Sequence, residues 1–320
     1  MVKKLEELET NERDLDRYKI RKLYPDATGN REQEWYFDMD NPTSDRRLEN
    51  VKDHTSLRRE DDGSWSATGV RNKEGDRWQD GNAQVRLEGW SESRDKKWLN
   101  MEITAYGCYD RDLEGEIRGD DGWEELSPGP YAFQLYGRGG HHGNSHDERC
   151  DAACYKIGLR RDGDVEVRKE PTHGCYLPDK GTRKGTEERV KNQWIGLKQV
   201  LYNFEKGGKT CVANEIWIDD KSHDDGKLAD PPRNRWKHVV TVIDTGGWGG
   251  SCNNFVDDCD MLDRNEREGR RRKDHIITES GGPSRGNLGA LRSDKVKLKF
   301  KFFSIREIQP PEPAEDAIEA

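Results

Sequence analysis

Apolar and polar residues alternate in short runs along most of this chain, the period expected of half-buried strands. The runs are 34–40 (EWYFDMD), 83–91 (AQVRLEGWS), 99–109 (LNMEITAYGCY), 131–138 (YAFQLYGR) and 154–161 (CYKIGLRR). After the last of these, Asp162 and Gly163 supply a hairpin turn and 165–169 (VEVRK) returns. Further runs follow at 193–204 (QWIGLKQVLYNF), 211–219 (CVANEIWID), 236–244 (WKHVVTVID), 275–279 (HIITE) and 296–308 (VKLKFKFFSIREI). Val, Ile, Trp, Tyr and Phe dominate them, and Gly, Asp, Asn and Pro fill the gaps. That predicts about ten strands. No long amphipathic helix recurs between strands, which argues against a parallel α/β sheet. The fold class is all-β, with two antiparallel sheets packed as a sandwich.

The two ends differ from the middle. Residues 1–27 are charged, with Leu5, Leu8, Leu15 and Tyr18 as a weak apolar stripe ahead of Pro25. They are expected to be helical or disordered, and to offer a segment through which the chain could form oligomers. Residues 28–308 form the sandwich domain, and the Pro- and Glu-rich residues 309–320 a disordered tail.

Composition sharpens this picture. Only 31% of the 320 residues are hydrophobic and 37% are charged, yet there are ten Trp and ten Tyr to build a core beneath a very polar surface. The net charge of −9, from 64 acidic and 55 basic side chains, argues against a nucleic-acid partner. No apolar run reaches the length of a membrane span, and 1–24 contains no apolar signal-peptide core, so localisation stays open. Cys150 could pair with Cys154 or Cys175, and Cys252 with Cys259; free thiols are an equal alternative for all seven cysteines.

Six blocks carry a resemblance: 136–142 (YGRGGHH), 154–170 (CYKIGLRRDGDVEVRKE), 193–203 (QWIGLKQVLYN), 214–220 (NEIWIDD), 244–250 (DTGGWGG) and 297–308 (KLKFKFFSIREI). Together they resemble jelly-roll proteins of the concanavalin A-like lectin and glucanase superfamily, polysaccharide-lyase-like members included. The resemblance implies a jelly-roll sandwich and a carbohydrate-active groove.

Candidate chemistry concentrates between residues 136 and 176, which hold four of the eight histidines. Cleaving a polyuronate by β-elimination takes a group that neutralises the carboxylate, a base for the adjacent proton, and an acid for the leaving oxygen. Arg138 suits the first task through its guanidinium fork. His141 or His173 suits the second and Tyr155 or Tyr176 the third, with Lys156 and Lys169 adding positive potential. Tyr136, Tyr176 and Trp248 are the expected sugar-binding aromatics; Trp248 lies between two glycines, on an expected loop.

Other readings compete, one of them for the same stretch. Cys150, Cys154, Cys175 and nearby histidines include zinc ligands without a known spacing. Glu102 and Glu215 could serve as paired glycosidase carboxylates. Asp219, Asp220 and Asp224, with Asp225, form an Asp-rich loop able to hold a structural calcium, although the chemistry requires no cofactor. The basic run 264–273 reads as a solvated loop. The expectation is therefore a lyase acting on an acidic polysaccharide. The alternatives are a glycan-binding module without catalysis, and a subunit of a shell, filament or virion.

Overall fold

The computed structural model describes residues 12–25, 33–50, 55–69, 73–74, 77–78, 84–91, 97–112, 131–139, 153–172, 175–249, 276–277, 288–294, 296–309 and 317–319. His141, His173, Cys150, Cys252, Cys259 and the basic run lie outside them.

The strands are β1 (Glu34–Tyr36), β2 (Leu48–Asn50), β3 (Thr55–Arg59), β4 (Trp65–Gly69), β5 (Lys73–Glu74), β6 (Arg77–Trp78), β7 (Gln84–Trp90), β8 (Met101–Asp112), β9 (Tyr131–Gly139) and β10 (Cys154–Arg160). They continue as β11 (Asp164–Glu170), β12 (Lys180–Lys184), β13 (Trp194–Lys206), β14 (Lys209–Asp219), β15 (His223–Asp224), β16 (Lys227–Leu228), β17 (Lys237–Asp244), β18 (Leu288–Asp294), β19 (Val296–Glu307) and β20 (Ile318–Glu319). Two large sheets result. The front sheet has seven strands in the order β12-β11-β10-β9-β18-β7-β2. The back sheet has nine, β20-β17-β14-β13-β8-β19-β4-β3 with β1 added beside β19. Every pairing in the two is antiparallel except β17 with β20. The all-β expectation holds. Among the described residues no helix is long and apolar enough to cross a membrane.

Strand alternation builds the core between the sheets. Leu87, Phe133, Leu135, Ile157, Leu159, Val165, Val167 and Leu291 of the front sheet meet Ile103, Ala105, Leu197, Leu201, Ile216, Ile218 and Ile305 of the back sheet. The sheets approach closely where glycine removes a side chain. A Cβ on Gly137 would stand 2.2 Å from Leu201 of the facing sheet.

One break in alternation widens what the back sheet can bury. In β19 the register against β8 shifts between Lys301 and Ser304, and Phe302 takes a φ of 58°. The bulge inverts the alternation, so Leu298 and Phe300 face the main core before it and Phe303 and Ile305 after it. Phe303 joins the main core, and Phe302 joins an outer cluster with Tyr106, Trp194, Trp236 and Ile20.

Ile20 belongs to the N-terminal segment, whose described residues 12–25 hold a short 3-10 turn at Glu12–Asp14 and otherwise run without helix. The Asp16 carboxylate then accepts the amides of Tyr18 and Ile20 at 2.8 and 2.9 Å, a local side-chain bond that competes with helix. The segment lies on the outer side of the back sheet. There Leu23 N donates to Glu102, the Tyr24 hydroxyl to Glu215, and Arg21 N to Asn234 at 2.7 Å. Within the expected tail, Ile318–Glu319 pairs with Val242 and Ile243 and covers that stretch of the sheet's edge.

Replacing Gly137 by alanine should destabilise the fold by about 1–3 kcal/mol through overpacking against Leu201, read as a lower urea midpoint with an unchanged slope.

Candidate functional site

The register of the front sheet sets its outer side chains in rows. Arg86 of β7 faces Arg292 of β18, which faces Gln134 of β9, then Gly158 of β10 and Glu166 of β11. The next row runs Glu88, Ala290, Tyr136, Lys156 and Arg168. Beyond it Cys154 faces Glu170.

Tyr136 sits at the middle of this layer. Lys156 lies 4.5 Å from its ring centroid, Arg86 5.5 Å and Arg292 5.6 Å. Arg292 also donates to the phenolic oxygen at 2.7 Å, and the hydroxyl reaches Gln134 Oε1 at 3.3 Å. Each cation has a carboxylate partner: Arg86 with Glu88 at 2.6 Å, Arg292 with Asp294 at 2.8 Å, and Lys156 with Glu170. Burial pushes the Tyr136 phenol up, against the pull of Arg292. Burial also raises the Cys154 thiol, to about 12, so it stays protonated at neutral pH. Lys156 is held between two rings, Tyr136 and, at 4.6 Å, Tyr176. Tyr176 is 44% exposed, and is the large aromatic at the margin of this otherwise buried layer. Cys175 beside it is disulfide-bonded, with its partner outside the described residues. Cys154 is a free thiol, so the pairing of Cys150 with Cys154 is excluded.

The sheet divides the residues that the sequence grouped. Tyr136, Lys156 and Tyr176 share the outer layer. Arg138, Tyr155 and Lys169 turn inward and are fully buried. Tyr155 and Lys169 face each other across β10 and β11, and both meet Asp244 of the back sheet, at 2.5 and 2.6 Å. Arg138 would point outward by alternation. Its positive φ of 54° and a register shift between β9 and β18 turn it instead toward the Ile277 carbonyl, 2.8 Å away. Ile277 N in turn donates to the Tyr155 hydroxyl at 3.3 Å. Tyr155 and Lys169 thus join the two sheets through Asp244, and Arg138 holds Ile277 beside them.

Trp248 is corrected in the same way. It lies on a loop, but its indole is fully buried 6.0 Å from the Tyr155 ring, donating to the Pro178 carbonyl at 2.8 Å. Two flanking glycines let the chain fold back; they do not expose the side chain between them.

The Asp-rich loop is occupied by protein donors. Asp219 is buried and accepts the Tyr106 hydroxyl at 2.8 Å, the Ser222 hydroxyl at 2.5 Å and the amides of Lys221 and Arg235. Asp220 accepts from Thr186 at 2.6 Å and Lys237 at 3.0 Å, and Asp224 pairs with Arg233. Among the described residues no three His, Cys, Asp or Glu side chains gather as a metal site. Glu102 and Glu215 do share a face, the outer side of the back sheet, each bonded to the N-terminal segment. Burial would raise the Glu102 carboxyl, but Arg306 at 2.8 Å and Lys198 at 2.7 Å hold it at about 2.

Sequence reading missed Arg86, Gln134, Glu166, Glu170 and Arg292. Alternation within 84–90 and 131–136 held the signal for Arg86 and Gln134. Nothing local announced that β18, distant in sequence, would lie between β7 and β9. No known family model matches this chain, and no curated protein matches it either.

Lys169→Met should cost about 3–5 kcal/mol in urea unfolding by leaving Asp244 charged and unpaired between the sheets. Adding Asp244→Leu should recover most of that loss. The Glu102 carboxyl is depressed in the folded state, so its contribution is complete above the ordinary glutamate range. It is lost as pH falls toward about 2. Glu102→Gln should therefore flatten the acid side of the stability–pH curve between about pH 4.5 and 2, measured by chemical denaturation across that range.

Proposed function

We propose that this protein is a polysaccharide lyase, cleaving a uronate-containing polysaccharide by β-elimination on the outer face of the front sheet. The reaction and substrate class are those implied by the resemblance to concanavalin-like jelly-roll proteins. The outward residues of the sheet, not the inward ones, carry the chemistry. The observation that carries it is the setting of Tyr136, a phenol ringed by Arg86, Lys156 and Arg292 and bonded by the last.

The proton beside a uronate carboxylate becomes acidic only when the carboxylate's charge is met. Arg292 and Gln134 stand next to Tyr136 in the layer and suit that task as a cation and an amide. Tyr136 retains its proton and is the donor to the leaving glycosidic oxygen; Arg292 and Lys156 then stabilise the phenolate. Tyr176, with Lys156 over its ring, is 44% exposed at the margin of this layer, where a sugar face can stack.

Tyr136→Phe should lower kcat on polyuronates by about 100-fold or more while leaving KM nearly unchanged, followed by the absorbance of the unsaturated product, and should cost about 1–3 kcal/mol of stability by stranding Arg292. A wild-type protein that binds polyuronates and never forms that product is a glycan-binding module. One that neither binds nor cleaves them removes the carbohydrate reading.

A further inference from the structure

The outer layer extends past Lys156 to a second phenol. Between β9 and β10 the register runs from Leu159 opposite Phe133 to Arg160 opposite Tyr131, leaving Ala132 as an extra residue. This bulge breaks alternation, so Tyr131 does not follow Phe133 into the core but turns to the outer face. Its ring lies over Gly158. A Cβ there would stand 2.4 Å from the ring, so only glycine leaves the space.

The Tyr131 hydroxyl donates to Glu166, the residue directly across from Gly158 on β11. Gln134 occupies the same cross-strand row, opposite Gly158, and accepts from the Tyr136 hydroxyl. Among the described residues, the charged groups facing Glu166 are Arg160 of β10 at 3.4 Å, Arg168 of its own strand at 3.7 Å, and Asp179 of the following loop. Asp179 holds Arg168 through two bonds of 2.6 and 3.0 Å. Burial, reinforced by the Asp179 charge and opposed by Arg168, pushes the Glu166 carboxyl up to about 7. A base is most effective when it titrates near the working pH.

We infer that Tyr131 and Glu166 form the proton-abstracting pair of this site, Tyr131 contacting the substrate and Glu166 acting through it. The inference rests on the lyase reading above. As the Tyr131 oxygen takes the proton beside the uronate carboxylate, its own proton passes to Glu166. The electrons of the broken C–H bond become the new C=C bond, the C–O bond to the leaving sugar breaks, and the leaving oxygen takes the proton of Tyr136. Glu166 ends protonated, Tyr136 ends as phenolate, and exchange with water resets both.

Glu166 must then be ionised for turnover, so kcat should rise with pH through about 7. The experiment compares pH–rate profiles of the full-length wild type with Glu166→Gln, Glu166→Asp and Tyr131→Phe on a polyuronate. Glu166→Gln should lose about 100-fold in kcat together with the limb near 7. Tyr131→Phe should lose as much, and Glu166→Asp should keep a displaced limb. Infrared titration of the carboxyl band should show a group ionising near pH 7 that Glu166→Gln abolishes. A Glu166→Gln protein that folds, turns over within about threefold of wild type and keeps the limb overturns the pair while the lyase reading stands. A wild type that cleaves no polyuronate overturns both.

Discussion

Everything placed on the front sheet follows from one constraint: successive side chains of a strand point to opposite faces, and one face must meet the core. A single step in register exchanges the two sets. The front sheet obeys this in β10 and β11, where Ile157, Leu159, Val165 and Val167 go inward while Lys156, Glu166, Arg168 and Glu170 go outward. Strand β9 obeys it in the middle and departs from it at both ends. At one end Arg138 is turned toward Ile277, and at the other Tyr131 is turned outward over Gly158. The composition of the two faces is decided by these two bulges as much as by the alternation itself.

The inward polar residues have a structural logic. Lys169 and Tyr155 of the front sheet converge on Asp244 of the back sheet, in a site fully withdrawn from water. Burying such a charge is costly unless it is paired and hydrogen-bonded. Here the pair spans the sandwich, so its geometry fixes how one sheet lies on the other. Gln199 adds a second polar link by donating to the Tyr155 carbonyl at 3.3 Å.

The outer face of the back sheet is organised differently. The N-terminal segment crosses it, joined by backbone and side-chain bonds to Glu102, Glu215, Asn234 and Arg306 and by the buried Ile20. The carboxylates that might have suggested a glycosidase are committed to this attachment and to Lys198, Arg306, Tyr202 and Trp217. The two outer faces thus differ in what they carry: the N-terminal segment lies across one, while the other bears a buried layer of cations and phenols with Tyr176 at its exposed margin.

The sequence by itself determined the all-β class, the position of most long strands and the stretch in which the chemistry-bearing residues lie. It could do so because period-two alternation and turn residues are local properties. It also indicated Tyr136, Lys156 and Tyr176, which do come together. It could not say that Arg138, Tyr155 and Lys169 face the other way, since a strand whose two faces are both polar in places leaves its inward side undetermined until it pairs. Nor could it bring Arg292 to Tyr136 across 156 residues of chain, or Asp244 to Lys169 across 75. Those neighbours come from strand order and bulges, which only the packing of one sheet on the other decides.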